Sequence, residues 1–288
     1  MTSIPTAFAH AAAEVAAIAG AATRRVSACS QRRIVWRIWG DGPPLVLIHG
    51  DFGSWTHWIR NVLPLARSYR VLAVDMPGYG DSDSPPGPWS PESLAWSLAE
   101  ALAELLPAPQ RYALAGFSFG GIIAAHLAAL EGERVDKLAL FGPGGFGPPL
   151  GQTPHLRRLT PDMGMREIIA LHRHNLGRLM LADPDKVDDL SVFMQIENTR
   201  RARLRAGAIP QSDALMRALP EVRAQFHTVW SERDATTAGE LPQREQRLRR
   251  VRPDLKFHLI PAAGHWTPYE APDRVNAILS EMLSSSCA

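Results

Sequence analysis

Residues 112–125 read Tyr-Ala-Leu-Ala-Gly-Phe-Ser-Phe-Gly-Gly-Ile-Ile-Ala-Ala. An apolar run ends at Gly116-Phe117-Ser118-Phe119-Gly120, and small residues typical of a tightly packed helix follow. This order predicts a strand, a tight turn and a helix, with Ser118 at the turn. Glycines beside the serine favour a strained turn, because side chains there would make the strand and the helix collide. The alternative is an ordinary strand-to-helix turn whose serine has no chemical role.

Strand and helix patterns alternate on both sides of this turn. Short apolar runs occupy residues 45–48, 69–74 and 137–141, and further runs occupy 225–230 and 255–260. Helical patterns separate most of these runs, and such alternation predicts an α/β protein with a mostly parallel sheet.

The alternation breaks between residues 143 and 222, where the pattern is helical and no apolar strand is evident. We therefore predict a core made of residues 31–142 and 223–288, with residues 143–222 inserted as a helical lid. Residues 1–30 are predicted to be an N-terminal helical extension. A signal peptide is the alternative there, but no basic residue precedes the alanine-rich stretch and His10 and Glu14 interrupt it.

Composition limits the classes of partner. The chain has 288 residues, is 45% hydrophobic and carries a formal net charge of +2, so we expect a folded core and no nucleic-acid or membrane partner. Two cysteines near opposite ends, Cys29 and Cys287, favour a reducing compartment, and we expect a cytoplasmic protein. A small-molecule substrate is expected, and a homodimer is left open.

A serine hydroxyl becomes a useful nucleophile only beside a base that an acid orients. The run 225–230 is followed by Glu232 and Asp234, and the run 255–260 is followed by His265. The carboxyl ends of parallel strands meet at one edge of a sheet, so these residues are expected near Ser118. We predict Ser118, Asp234 and His265 as a catalytic triad, with Glu232 as the competing acid. Taken alone, Asp234 is more typical of a turn and His265 is more typical of a packing position.

Two backbone amides are predicted to stabilise the negative charge that would develop on a substrate oxygen. Phe119, directly after Ser118, supplies one, and Asp51 supplies the other, with Phe52 in reserve. Loop aromatics and a histidine predict an apolar substrate pocket, made of Phe52, His57, Phe117, Phe146 and Trp266. No cofactor is expected. No metal is expected either, because His172 and His174 are poorly spaced to bind one metal ion from the same helix face.

Asp51 is unusual because a carboxylate beside such a site opposes the charge to be stabilised. One interpretation is that its side chain bonds locally, with His57 as the candidate partner. The other is that it contacts a polar or cationic part of the substrate.

The chain resembles the α/β-hydrolase superfamily from about residue 30 onward. The resemblance is carried by His49-Gly50, the D-x-P-G-x-G-x-S run of residues 75–82, the turn at Ser118, Asp234 and Gly264-His265. It implies an eight-stranded, mostly parallel sheet flanked by helices with an inserted helical lid. Serine at the nucleophile position argues against the branches that carry aspartate there, the haloalkane dehalogenases and epoxide hydrolases.

Within the superfamily the chain is similar to the meta-cleavage product hydrolases, which cleave carbon–carbon bonds in vinylogous diketones. Residues 55–62, 142–147 and 264–266 carry this similarity. That family usually has Gly at Asp51, Asn at His57 and at Phe117, and a substrate-binding arginine near Met194. Four arginines that could take over the role of this substrate-binding arginine follow in the sequence: Arg200, Arg201, Arg203 and Arg205.

These departures favour a serine hydrolase that cleaves a small, largely apolar ester through an acyl-enzyme. The first alternative is a carbon–carbon bond hydrolase of meta-cleavage type. The second is a binding protein with the same fold and no turnover.

Overall fold

A computed structural model describes residues 8–85, 87–148, 154–237 and 239–284. The described residues form eight strands in one sheet, ordered β1-β2-β4-β3-β5-β6-β7-β8. The strands are β1 (Thr23–Cys29), β2 (Arg32–Trp39), β3 (Pro44–Ile48), β4 (Arg70–Asp75), β5 (Tyr112–Phe117), β6 (Val135–Phe141), β7 (Gln225–Ser231) and β8 (Lys256–Ile260). Strand β2 pairs antiparallel with β1 and β4, and the other pairs are parallel.

Helices cover both faces of the sheet. They are α1 (Ala9–Gly20), α2 (Ile59–Leu65), α3 (Pro91–Ala103), α4 (Phe119–Glu131), α5 (Met165–Asn175), α6 (Asp189–Arg201), α7 (Ala214–Ala218), α8 (Leu241–Val251), α9 (Thr267–Glu270) and α10 (Pro272–Ser284). A 3-10 turn at Trp55–Trp58 precedes α2, and a π-helical turn at Leu176–Met180 follows α5.

The two faces of the sheet carry separate hydrophobic clusters. In β3, Val46 and Ile48 pack in the cluster beneath α3 and α4, whereas Leu45 and Leu47 pack in the cluster beneath α1, α2 and α10. Successive side chains of a strand point to opposite faces, so a wholly apolar strand is the expected result for a sheet covered on both sides. The predicted fold, an eight-stranded and mostly parallel sheet flanked by helices, is confirmed.

The N-terminal extension differs from the predicted helix over residues 1–30. Helix α1 ends at Gly20, and Thr23–Cys29 form the edge strand β1. The hairpin to β2 turns at Ser30 and Gln31, with φ of +45° and +65°. Two-residue turns of this kind normally carry Asn-Gly or Asp-Gly, so the usual sequence signal of a hairpin is missing.

The segment between β6 and β7 is helical, and its described residues 154–222 contain no strand. Helix α6 of this segment packs against α1, where the rings of Phe193 and Phe8 lie 5.9 Å apart. Its role as a lid stays a prediction. No helix in the described ranges is long and apolar enough to cross a membrane. Cys29 is buried with a free thiol, and Cys287 lies outside the described residues.

His49 joins the ends of two neighbouring strands. Its Nδ1 donates to the Gly50 carbonyl at 2.7 Å, and its Nε2 accepts the Met76 amide at 3.0 Å. Both bonds form together only when the ring is neutral and protonated at Nδ1. Burial lowers the pKa of His49 from 6.5 to about 4, so the loops after β3 and β4 are held by a neutral imidazole.

Glycine is required where α4 crosses the sheet. A Cβ on Gly116 would lie 2.5 Å from the Gly120 carbonyl oxygen, and one on Gly120 would lie 2.8 Å from the Ile48 carbonyl oxygen and closer still to that of His49. These obstacles are backbone atoms, which cannot rotate away. The close contact brings the start of α4 against the end of β3.

We expect Gly120→Ala to lower the free energy of unfolding by about 3 kcal/mol, because the added methyl group overpacks against backbone. Gly20→Ala is the matched control, since a Cβ there meets nothing within 4 Å. Urea unfolding measures both. Equal midpoints for the two variants would show that α4 can shift away from β3.

His49 should make stability depend on pH. The pKa of His49 is lower in the folded state than in the unfolded state. Between these two pKa values, the unfolded chain therefore binds one proton more than the folded chain. The stabilisation is complete above pH about 6.5 and is lost as pH falls towards about 4, with about 2 kcal/mol lost by pH about 5. Urea unfolding at pH about 7 and about 5 should show a smaller loss for His49→Asn than for the wild type. The exposed His10→Asn serves as control, and an undiminished loss in His49→Asn contradicts the assignment.

Candidate active site

Ser118 lies between β5 and α4 with φ of +54° and ψ of −118°. Its amide donates to the Phe141 carbonyl at 2.8 Å, and its carbonyl accepts the Gly121 amide at 2.9 Å. A positive φ is unfavourable for a residue with a side chain, and these bonds hold the backbone in that conformation. The turn places the Ser118 side chain where the two cavities described below meet.

The three side chains predicted from separate loops lie together. His265 Nε2 is 2.9 Å from Ser118 Oγ, and His265 Nδ1 is 2.9 Å from Asp234 Oδ2. Asp234 and His265 are both buried. The arrangement can carry a proton from the serine hydroxyl to the imidazole while the carboxylate fixes the ring.

Asp234 also has a partner that sequence reasoning missed. Its Oδ1 accepts the Thr236 amide at 2.8 Å and the Thr236 hydroxyl at 2.6 Å. Burial alone would raise the pKa of Asp234, but His265 and Thr236 outweigh it and hold that pKa below its usual value. Glu232, the competing acid, is exposed and accepts the Ala262 amide instead.

The predicted amide donors lie on both sides of Ser118. Phe119 is the first residue of α4, so its N–H has no partner within the helix. The loop of Gly50 and Asp51 approaches so closely that a Cβ on Gly50 would lie 3.2 Å from Ser118 Cβ. Phe52, the reserve donor, gives its N–H to Asp51 Oδ1 at 2.9 Å. The Phe52 N–H is therefore already occupied, and Asp51 stays the predicted donor of the two.

The Asp51 carboxylate joins three segments of the chain. It accepts the Tyr79 hydroxyl at 2.6 Å, the Phe52 amide at 2.9 Å and the Ala206 amide at 3.2 Å. Its side chain therefore bonds locally, as one interpretation held, but His57 is not the partner. His57 Nδ1 accepts the Gly50 amide at 3.2 Å. Burial raises the pKa of Asp51, while the three donors act in the opposite direction.

Two cavities meet at Ser118 and His265. The large cavity has a volume of about 650 Å³, and the small cavity has a volume of about 290 Å³. Apolar side chains form much of the wall of the large cavity, namely Phe52, Phe117, Leu171, Leu176, Leu179 and Met180. The small cavity lies between Phe146 and helix α8.

Three of the five predicted pocket residues line these cavities: Phe52 and Phe117 the large one, and Phe146 the small one. His57 and Trp266 line neither cavity, and the prediction for them is corrected. Their rings pack on each other at 4.9 Å, and the Trp266 indole donates to the His57 carbonyl at 2.9 Å. Trp266 is fully buried, so these two residues pack in the interior and do not form part of the cavity wall.

The basic residues of the insertion have different surroundings. Arg200 pairs with Glu197, and Arg201 pairs with Asp81. Arg203 donates to backbone carbonyls, and Arg205 lines the large cavity. Met194, the position nearest to the family's arginine, is buried in the core.

His172 lines the large cavity, and burial lowers its pKa to about 4. A neutral histidine could in principle bind a metal. However, the described part of the chain contains no cluster of three or more histidine, cysteine or acidic side chains that could hold one.

Two related sequences show what the chain is similar to. One is the dihydrolipoyllysine-residue acetyltransferase component of the acetoin cleaving system of Pseudomonas putida, 31% identical over 82% of this chain. The match spans only 62% of that longer protein. The other is a 2-hydroxy-6-oxononadienedioate/2-hydroxy-6-oxononatrienedioate hydrolase of Burkholderia vietnamiensis, 30% identical over 83% of this chain and 86% of that protein.

A solved structure agrees on the fold. An esterase from Rhodococcus sp. ECU1013 superposes with a TM-score of 0.75 at 22% identity, covering 92% of this chain and 99% of that one. The sequence profile of the alpha/beta hydrolase family matches residues 45–278, a range that holds Ser118, Asp234 and His265. The chain therefore belongs to the alpha/beta hydrolase family.

Proposed function

We propose that this hydrolase cleaves a small, largely apolar ester through an acyl-enzyme on Ser118. The observation that carries the proposal is the chain of two 2.9 Å contacts from Asp234 through His265 to Ser118.

The first step is proton transfer from Ser118. A carboxylate at Nδ1 holds the His265 proton there, so Nε2 is left as the acceptor for the serine hydroxyl. When His265 takes that proton, the negative charge of Asp234 stabilises the imidazolium. Thr236 keeps the carboxylate oriented through the two bonds to Oδ1.

The activated oxygen then attacks the ester carbonyl. The amides of Phe119 and Asp51 receive the oxyanion, and the N-terminus of α4 adds its partial positive charge. His265 passes its proton to the leaving alcohol, and the acyl group stays on Ser118. Water, activated by the same histidine, releases the acid and restores the serine.

The large cavity supports an apolar substrate. Phe52 and Phe117 stand beside Ser118, and leucines and methionines continue the wall. A doubly charged dienolate needs charge-assisted contacts worth about 1.5–3 kcal/mol each. At the positions where that family has polar anchors, Phe117 offers no such contact, His57 lies outside the cavity and Met194 is buried. The cations that remain in the cavity wall are Arg157, Arg158 and Arg205.

Carbon–carbon bond hydrolysis is the second candidate. Arg205 favours it, because its guanidinium lines the large cavity and lies 5.9 Å from the Phe52 ring centroid. The name of the Burkholderia relative also describes that chemistry. A small-molecule substrate, the absence of a cofactor and a cytoplasmic location remain predictions from the sequence.

Replacing Ser118 with Ala should lower kcat on 4-nitrophenyl acetate and butyrate by at least about 10⁴-fold, because the nucleophile is lost. The exposed Ser284→Ala should keep wild-type rates. Labelling of the wild type, but not of Ser118→Ala, by a fluorophosphonate probe would exclude a purely binding role. Turnover in Ser118→Ala at the wild-type rate would refute the mechanism.

Comparing 4-nitrophenyl butyrate with a 6-phenyl dienoate of the meta-cleavage type separates the two reactions. We expect kcat/KM for the ester to be higher by about 100-fold, since Phe117 and Met194 stand where the dienoate-cleaving family carries asparagine and arginine. Arg205→Gln should leave ester hydrolysis unchanged. Faster cleavage of the dienoate by the wild type, abolished by Arg205→Gln, would instead establish the second candidate.

A further inference from the structure

The small cavity has a charged wall that the proposed mechanism does not use. Ser118 and His265 lie at one end, and helix α8 supplies Gln243, Arg244 and Arg247, with Glu240 directly before it. The large cavity, whose wall combines many apolar side chains with three arginines, can receive one half of a substrate. The small cavity would therefore receive the other half.

Arg244 is held in place but is incompletely paired. Its Nη2 donates to the Thr236 carbonyl at 2.9 Å, and its guanidinium carbon lies 5.3 Å from the ring centroids of Phe146 and Trp230. Its Nε is buried without a hydrogen-bond partner. Burial also lowers the pKa of Arg244, which reflects the cost of enclosing this cation.

Among the described residues, Glu240 supplies the only carboxylate in the wall of the small cavity. Its closest contact with Arg244 in the described structure is 3.9 Å, from Arg244 Nη2 to Glu240 Oε2. The other oxygen, Glu240 Oε1, is buried and has no partner. Asp234 lies behind the wall but is occupied by His265 and Thr236.

Arg247 adds a second positive charge on the same face of α8. Its Nη1 donates to the Phe146 carbonyl at 2.9 Å. Within the described ranges, no carboxylate forms an ion pair with Arg247, whereas Arg249 of the same helix pairs with Glu245 at 2.8 Å. Two arginines and one glutamate leave the wall with one positive charge in excess, beside a space large enough for a short chain.

We propose that the small cavity binds a carboxylate group of the substrate through Arg247 and Arg244. The inference rests on the proposed function and narrows it. The substrate is then an ester with one apolar half in the large cavity and one half that ends in a carboxylate. A guanidinium binds a carboxylate through paired N–H groups, and one such anion neutralises the excess charge of the wall.

Two pairs of esters test which half carries the carboxylate. Mono-4-nitrophenyl glutarate carries a carboxylate on its acyl half, and its methyl ester is the neutral counterpart. 4-Carboxyphenyl butyrate and its methyl ester do the same on the alcohol half. The readout is the ratio of kcat/KM between the charged and the neutral member of each pair.

In the wild type, we expect one pair to show a preference of about tenfold or more for the charged member. Arg247→Gln should reduce this ratio to near one, and Arg250→Gln, an exposed arginine of the same helix, should keep it. No preference in either pair, or a preference that survives Arg247→Gln, overturns the inference.

Titration calorimetry with glutarate keeps the inference separate from ester hydrolysis. Glutarate should bind to the wild type and to Arg250→Gln, and binding should weaken about tenfold or more in Arg247→Gln. Equal binding to all three proteins counts against the site even if every ester is cleaved. If no ester is cleaved but binding depends on Arg247, the proposed function fails while the carboxylate site stands.

Discussion

The structure of the site depends on one close contact, the crossing of α4 over the ends of β3 and β5. Gly116 and Gly120 allow the backbones to meet, and Ser118 takes a positive φ as a result. A residue with any side chain at either glycine would lift the helix and with it the Phe119 amide. The nucleophile and the positive end of α4 are therefore set by the same packing, and the strained backbone at Ser118 follows a strand, β5, that is buried throughout.

The parallel sheet supplies the remaining chemistry at the same edge. Asp234 follows β7 and His265 follows β8, so their loops leave neighbouring strands side by side. The two cavities diverge from this point because the Gly50–Asp51 loop lies on one side of Ser118 and α8 lies on the other. Arg244 and Arg247 line the small cavity alone, and the proposed carboxylate-binding site rests on them.

The sequence alone predicted the features that have local signals. The triad residues follow apolar strands, and the turn at Ser118 has its glycines, so the sequence is sufficient to predict both. Strand β1 could not, because Ser30 and Gln31 turn the hairpin without a glycine or asparagine. The prediction for Trp266 was wrong because the sequence pattern of a loop aromatic is the same whether its side chain packs in the interior or lines a cavity. Thr236 is visible as a partner only through a contact with Asp234 in three dimensions.

The bond between Asp51 and Tyr79 has an evolutionary consequence. The carboxylate is half-buried beside the site, and the tyrosine hydroxyl, at 2.6 Å, is its shortest contact. Loss of the hydroxyl would leave an acid without its strongest donor, whereas loss of the acid would leave a buried phenol unpaired. Substitution of either residue alone is therefore unfavourable, and natural relatives should keep both or replace both. A glycine at position 51 should accompany a different residue at position 79.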